Sequence, residues 1–408
     1  MIFRINLINP NRVTTAISAM AIALSLAACG GGSTTSSSPS PGSDTAATPG
    51  AAPVAAATNT KLALASDVAI TAAGASFPAP LYQRWFQDFN KINPKVQINY
   101  QSVGSGAGIE QFTKGTVDFG ASDTAMKDDE IAKVPADKGV ILLPMTAGSI
   151  VIGYNLPDVP ELKLPRDVYT EIFQGKITKW NDPKIAAANP GAKLPDQAIT
   201  VIHRSDGSGT TAVFTKHLSA ISPDWKTAVG DGKTVEWPKT GTFIGAKGNE
   251  GITAQILQTA GSVGYIEYGY AKNNNVKFAS LQNKAGTFVT PNDESASAAL
   301  ATVPLPENLR AFIEDPEGAE SYPIVTYTWM LVPKTVADPN KAKAIEAMVE
   351  YGLNEGQKVS SELGYVPLPA SVKEKVAAAA DGISADKEER YFCRGGFTNN
   401  NCLKPIIS

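Results

Sequence analysis

The stretch LYQRWFQDFNKINPKVQINY, residues 81–100, decides the fold class. Its first part places apolar residues every three or four positions from Leu81 to Ile92, which is the period of a helix with one buried face. Its second part alternates apolar and polar residues from Val96 to Tyr100, as a half-buried strand does. A helix that leads directly into a strand is typical of an α/β fold.

The same two patterns continue along the chain. Short apolar runs at 117–121, 140–143 and 150–154 predict strands, and amphipathic periods at 342–353 and 372–379 predict helices. Strands interleaved with helices at short intervals favour an α/β fold with mostly parallel sheets. The chain has 408 residues, of which 43% are hydrophobic, and this is enough for two or three compact units.

Composition argues against several classes of protein. A formal net charge of −3 is unlike that of a nucleic-acid-binding protein, which normally carries a clear basic excess. Two histidines, His203 and His217, and three cysteines without a CxxC pair cannot supply a His-rich zinc cluster. We therefore expect no metal site and no cofactor.

Residues 1–28 have the features of a secretory signal peptide. Arg4 and Arg12 give a basic start, and the apolar stretch 13–28 is shorter than the roughly 20 residues of a membrane-spanning helix. The letters LAAC, which end at Cys29, resemble the lipobox of bacterial lipoproteins. This resemblance implies that Cys29 is lipidated and anchors an exported chain. An ordinary signal peptide followed by an incidental cysteine is the alternative.

The two ends of the exported chain carry further predictions. Residues 29–66 are predicted to be a disordered tether, because 30–60 consists almost entirely of Gly, Ser, Thr, Pro and Ala and cannot bury a core. In the tail 391–408, Cys393 and Cys402 are predicted to form a disulfide, since disulfides persist in exported proteins. Two free thiols are the alternative.

Three loops place a small hydroxyl residue directly before a helical pattern. They are GASFP at 74–78, GSGAG at 104–108 and DGSGTT at 206–211. Ser76 in the first loop suits the N-cap of the helix that follows it. One such loop is typical of a capped helix, but a helix N-terminus also offers unpaired N–H groups and a partial positive charge. Three loops, with Arg204 just before the third, indicate a shared anion site.

These loops do not match the common catalytic patterns. Ser208 has Asp206 and Thr210 two positions away, where a nucleophile elbow needs glycine. The sequence also lacks a complete dinucleotide-binding glycine pattern and a Walker Gly-Lys-Ser. The loops therefore predict hydrogen-bond donation to a ligand, with no catalytic residue.

Eight segments, in this order, are similar to the phosphate-binding proteins of bacterial ABC importers. They are GASFPAPLY at 74–82, YQSVGS at 100–105, VDFGASD at 117–123, GKITKW at 175–180, RSDGSGT at 204–210, KGNEG at 247–251, GYIEY at 264–268 and YPI at 322–324. The resemblance covers about residues 68–380. Each segment alone is a weak signal, and their common order makes the resemblance specific.

The resemblance implies a two-lobed periplasmic-binding-protein fold with a ligand cleft between the lobes. Lobe 1 would comprise 67–146 and 324–390, and lobe 2 would comprise 147–323, with hinge crossings near 144–148 and 323–326. The resemblance also implies the ligand contacts of a phosphate site. These are the Ser76 hydroxyl, the Phe77 amide, Ser105, Asp123, Arg204, Ser208, Gly209 and Thr210.

The side-chain chemistry gives three of these positions distinct roles. Arg204 can present two parallel N–H donors to an oxyanion, and Asp206 can hold its guanidinium in place. Asp123 bears on the identity of the ligand, because a carboxylate repels an anion beside it unless it accepts a proton from that anion. Phosphate near neutral pH carries a proton and sulfate does not, so Asp123 would favour phosphate. A solvated turn aspartate is the alternative for Asp123.

These observations together predict a bacterial lipid-anchored solute-binding protein. It would be a monomer at the periplasmic face or cell surface, binding inorganic phosphate by hinge closure and delivering it to membrane permease subunits. It would not be an enzyme and would not bind nucleic acid. The alternatives are a binding protein for another oxyanion (sulfate, molybdate or a phosphonate) and an exported phosphatase. A phosphatase would need metal ligands or an activated nucleophile.

Overall fold

The structure is a computed structural model and describes residues 61–385. Its strands are β1 Val68–Gly74, β2 Val96–Ser102, β3 Phe119–Ser122, β4 Ile141–Tyr154, β5 Lys163–Leu164, β6 Thr200–Arg204, β7 Thr242–Ala246, β8 Ser262–Glu267, β9 Lys277–Phe278, β10 Ser280–Gln282, β11 Phe288–Val289, β12 Val325–Val332, β13 Thr335–Val336 and β14 Ser384–Ala385. Its α-helices are α1 Ala79–Ile92, α2 Ser105–Thr113, α3 Asp128–Ile131, α4 Arg166–Phe173, α5 Pro183–Ala188, α6 Gly209–Ile221, α7 Pro223–Ala228, α8 Gly248–Gln258, α9 Tyr268–Asn273, α10 Asp293–Ala301, α11 Pro339–Leu353, α12 Ser360–Leu363 and α13 Ala370–Ala380.

Several sequence predictions lie outside the described residues. These are the signal peptide 1–28, the lipidated Cys29, most of the tether and the Cys393–Cys402 pair. Within 61–385, no helix is both long enough and apolar enough to cross a membrane.

The main sheet joins two parallel groups of strands through two antiparallel ones. Its strand order is β2-β1-β3-β12-β4-β8-β6-β7, with β9 also paired to β4. Strand β1 is parallel to β2 and β3, and β6 is parallel to β7 and β8. Strands β4 and β12 are antiparallel to each other and to their outer neighbours β8 and β3. The α/β class is confirmed, but the sheet is parallel only towards its two ends.

Strand β4 replaces the two separate strands that were predicted at 140–143 and 150–154. Its first part pairs with β12 as far as Ser149, and its second part pairs with β8 from Ile150 onwards. Pro144, which has no N–H to donate, lies beside a register shift opposite Thr328 and Trp329. Such a bulge lets a proline remain inside a strand, so Pro144 marks a bulge in β4 and not the end of a strand.

Helix α1 buries the apolar face that its sequence period predicts. Leu81, Trp85 and Phe89 are almost completely buried. The indole N–H of Trp85 donates to the carbonyl of Gly356 at 2.7 Å, which fixes α1 against the C-terminal part of the chain. The predicted helices at 342–353 and 372–379 are also confirmed, as α11 and α13. These helices support the strands whose ends carry the predicted anion site.

Candidate anion-binding site

Two glycine-rich loops face each other at the starts of two helices. Helix α2 begins at Ser105 and helix α6 at Gly209, and the N–H of Gly106 donates to the carbonyl of Gly207 at 2.8 Å. A Cβ at Gly209 would lie 2.7 Å from the Cβ of Asp123. Glycine is therefore required where the loops approach, and the first-turn amides of both helices lie close together.

Asp123 follows strand β3 and is 1% exposed, so the alternative of a solvated turn aspartate is wrong. Its Oδ1 accepts a hydrogen bond from the hydroxyl of Thr328 at 3.0 Å, and its Oδ2 accepts one from Thr210 at 3.3 Å. Its backbone N–H donates to Ser105 Oγ at 3.2 Å. These bonds hold the carboxylate among the predicted site residues.

Burial raises the pKa of Asp123 to about 7, because desolvation disfavours the charged carboxylate. The hydrogen bonds from Thr328 and Thr210 and the positive charge of Arg204 act in the opposite direction. Near neutral pH the carboxyl group is therefore poised between its two protonation states, as an acceptor of a ligand proton would be.

Arg204 ends strand β6 and is 4% exposed. Its Nε and Nη2 donate to the two carboxylate oxygens of Asp206 at 2.7 Å and 2.5 Å. Burial alone would lower the pKa of Arg204, but the hydrogen bonds and charge of Asp206 raise it. The same contacts lower the pKa of Asp206 despite its partial burial. Both side chains therefore stay ionised, and Asp206 fixes the direction of the guanidinium.

The remaining nitrogen of Arg204, Nη1, is buried and has no hydrogen-bond partner among residues 61–385. A buried guanidinium nitrogen without an acceptor is costly unless a ligand supplies one. Asp206 occupies the edge formed by Nε and Nη2. An oxyanion would therefore meet the end of the fork, at Nη1 and the second hydrogen of Nη2.

Three buried serine hydroxyls are arranged as donors. Ser76 Oγ accepts from Asn249 N and Nδ2 at 2.9 Å each, Ser105 Oγ from Asp123 N at 3.2 Å, and Ser208 Oγ from Thr211 N at 3.0 Å. A hydroxyl that accepts an N–H keeps its own hydrogen to donate. Within the described part of the chain, no acceptor for these three hydrogens is found. The three serines can therefore donate to an anion.

Ser76 does not cap helix α1, contrary to the sequence prediction. The helix begins three residues later, at Ala79, with Pro78 as the N-cap residue and without a side-chain cap. Ser76 Oγ accepts a hydrogen bond from the backbone N–H of Asn249, at the start of α8, instead. Ser208 does cap its helix, α6, as its position before the helical pattern indicated.

The other predicted site residues lie in the same place. Thr210 Oγ1 lies between Asn249 Nδ2, at 3.2 Å, and the carboxylate of Asp123. Gly209 is the first residue of α6, so its N–H is one of the unpaired first-turn donors. Phe77 is completely buried in the first loop. The structure thus brings together all eight predicted contact residues, and Asp206 supports Arg204.

Sequence reasoning missed the residues that hold these groups in place. Asn249 lies in the KGNEG segment, which was noted only as part of the resemblance. Thr328 lies in the middle of strand β12 and has no local motif. Tyr265 accepts the backbone N–H of Arg204 at 3.0 Å and shares a hydrogen bond with Thr211, and its segment, GYIEY, was likewise noted only as part of the resemblance.

The arrangement fits a small oxyanion that carries a proton. It offers many hydrogen-bond donors, namely a guanidinium, serine hydroxyls and helix N-terminal amides, around one carboxylate acceptor. Residues 61–385 contain no group of three or more His, Cys, Asp and Glu side chains placed to hold a metal ion.

The chain is similar to known proteins over most of its length. The model of the PBP superfamily domain matches residues 33–353. The phosphate-binding protein PstS of Pasteurella multocida is 44% identical over 313 residues, which cover 76% of this chain and 89% of the relative. PstS of Haemophilus influenzae is 44% identical over 315 residues, covering 76% and 92% of the two chains.

A solved structure supports the same fold. The phosphate-binding protein from Stenotrophomonas maltophilia aligns with a TM-score of 0.63 and 20% identity, over 76% of this chain and 94% of that one. The family model and the curated relatives each extend over most of the chain. The chain therefore belongs to the PstS family of phosphate-binding proteins, within the PBP superfamily.

Proposed function

We propose that this protein binds inorganic phosphate between two lobes and delivers it to the membrane permease subunits of an ABC importer. The observation that carries the proposal is Asp123, a single buried acceptor among donors, whose pKa of about 7 suits a ligand that still holds a proton. The curated relatives are named phosphate-binding proteins. The contact residues are the eight predicted ones.

Closure of lobe 147–323 onto the segment 67–146 is supported by contacts that join them. Lys233 Nζ pairs with Glu130 Oε1 at 2.6 Å, and both side chains are mostly buried. The carbonyl of Lys233 also accepts the N–H of Ser208, so this bridge lies directly beside a site residue. In an open form these contacts would separate, and the ligand would enter and leave.

The remaining parts of the proposal follow from the sequence. The protein would be exported to the periplasm or cell surface and held there by lipid on Cys29, with residues 29–66 as a tether and Cys393 bonded to Cys402. It would act as a monomer and perform no chemistry, because binding and closure suffice for delivery.

Titration calorimetry on phosphate-stripped protein tests the ligand. At pH 8, where Asp123 is ionised, we expect tight phosphate binding and sulfate binding that is weaker by about a hundredfold or more. At pH 6, where Asp123 is mostly protonated and can donate to sulfate, the difference should be smaller. Comparable affinity for sulfate, or a selectivity that Asp123→Ala leaves unchanged, would contradict the proposal and favour a binding protein for another oxyanion. Release of phosphate from a chromogenic monoester would contradict the assignment as a non-enzyme.

A further inference from the structure

Three tyrosines from distant parts of the chain hold the loop that follows β1. Tyr100 OH donates to the carbonyl of Ala75 at 2.6 Å, Tyr270 OH to the carbonyl of Ser76 at 2.8 Å, and Tyr365 OH to the carbonyl of Phe77 at 2.7 Å. Three successive carbonyl oxygens of one irregular loop are thus each held by a phenol.

The orientation of these carbonyls decides where the loop amides point. In a trans peptide the C=O of one residue and the N–H of the next point in opposite directions. Fixing the carbonyls of Ala75 and Ser76 therefore also fixes the N–H groups of Ser76 and Phe77. Neither N–H donates a hydrogen bond to another group of residues 61–385. Both stay available on the side of the loop away from the tyrosines.

We propose that Tyr100, Tyr270 and Tyr365 are positioning residues for the anion site. Tyr100 and Tyr270 clamp the peptides that carry the N–H groups of Ser76 and Phe77, so that these amides face the ligand. Tyr365 anchors the next peptide, between Phe77 and Pro78, which has no N–H, and so holds the end of the same loop. This inference rests on the proposed phosphate binding and adds to it residues that do not touch the ligand.

The clamp is rigid because the phenol rings are themselves packed. Tyr365 meets the ring of Phe77 edge-on at a centroid distance of 6.2 Å. Tyr100 packs edge-on against Tyr82 of helix α1 at 5.6 Å. Tyr270 lies in α9, whose first amides, including its own, are capped by the buried carboxyl of Glu267. An ordered phenol loses little entropy when it holds a carbonyl.

The three tyrosines differ in which part of the chain they belong to. Tyr100 and Tyr365 lie in segments assigned to the same predicted lobe as the loop, so their bonds persist when the cleft opens. Tyr270 lies in the other predicted lobe, 147–323, so its bond to Ser76 forms only on closure. Tyr100 and Tyr365 therefore preorganise the loop, and Tyr270 stabilises the closed form.

Single tyrosine-to-phenylalanine variants test the clamp, since each removes one hydroxyl and keeps the ring. We expect Tyr100→Phe and Tyr365→Phe to weaken phosphate binding about five- to tenfold, in line with a lost buried hydrogen bond. In stopped-flow measurements, Tyr270→Phe should raise the phosphate release rate about fivefold and leave the association rate within twofold. Tyr154→Phe is the control, because the buried Tyr154 donates to the carbonyl of Val159 in a similar bond away from the site.

One further measurement helps to separate the outcomes. Hydrogen exchange of the peptide that contains residues 75–82 should be faster in phosphate-free Tyr365→Phe than in the wild type, whether or not binding is lost. The clamp is overturned if the wild type binds phosphate and the three Phe variants match Tyr154→Phe in affinity, rates and exchange. Failure of the wild type itself to bind phosphate would overturn the proposed function instead.

Discussion

The hydroxyl of Thr328 lies 3.0 Å from Oδ1 of Asp123, and both side chains are buried. A carboxylate can only accept, so the threonine must donate to it while Asp123 is ionised. Thr328 therefore stabilises the charged form of the one acceptor in the site. This bond opposes the effect of burial on the pKa of Asp123.

Replacing Thr328 by valine should reduce both affinity and selectivity for phosphate. Without the donor, the pKa of Asp123 rises further, so more of the protein carries a protonated Asp123 that cannot accept the ligand's proton. We expect phosphate affinity at pH 7 to fall about tenfold, as for the loss of a buried hydrogen bond to a charged group. Affinity should recover towards pH 9. Calorimetry across this range checks the prediction, and Thr328→Ser, which restores the donor, should bind like the wild type.

The stability of the phosphate-free protein should depend on Asp123 in a defined pH window. The pKa of Asp123 is about 7 in the folded state against an ordinary value of 3.8, so the folded state binds the proton more tightly. The contribution of Asp123 to the free energy of unfolding should therefore fall as pH rises from about 4 to 7, by as much as roughly 4 kcal/mol.

Urea unfolding of the wild type and of Asp123→Asn, in parallel at pH 5 and pH 8, measures this contribution. The wild type should lose stability relative to the variant over this interval. An equal change in both proteins would show that Asp123 does not titrate in this window.

Arg204→Lys should weaken phosphate binding about a hundredfold. A lysine has no planar fork and cannot hold Asp206 with two bonds while donating to an oxyanion. The matched control is Arg84→Lys, because Arg84 also pairs with a nearby carboxylate, Asp88, but on the surface of α1. Calorimetry should give wild-type affinity for the control, and a similar loss in both variants would contradict the role of Arg204.

Asn249→Ala should affect ligand binding more than stability, in contrast to Asn283→Ala. Both amides are completely buried and donate several hydrogen bonds. Only Asn249 bonds the hydroxyls of Ser76 and Thr210. We expect at least a tenfold loss of phosphate affinity for Asn249→Ala. For Asn283→Ala we expect a lower Tm with unchanged affinity, and the same pattern in both variants would contradict this division.

The eight contact residues are predictions taken from the resemblance, and short motifs carry that resemblance. Each of the three loops combines glycine, a hydroxyl residue and a helix start within about six positions, so a short stretch of sequence is enough to predict the loop. The supporting residues have no such pattern. Asp123 and Thr328 are 205 positions apart, and Phe77 and Tyr365 are 288 apart. Only the fold brings these pairs together, so one sequence cannot reveal them.

The same limit applies to the fold. The period of α1 predicted its buried face, because a helix is set by neighbours three and four positions away. The continuity of β4 was missed, because Pro144 is tolerated only through a bulge against β12, a strand that begins 181 positions later, at Val325. Whether two strands pair in parallel or antiparallel likewise depends on the course of the chain between them, which a short stretch of sequence does not show.

The place of β12 has a consequence for the order in which the molecule is assembled. Strand β3 is made early in synthesis, but its second partner, β12, ends at Val332, about 200 residues later. Until then the first strands present an open edge that invites pairing with other chains. Such non-local pairing slows folding. The sheet of the newly made polypeptide therefore stays incomplete until β12 has been synthesised, which is compatible with the proposed export of the chain before it folds.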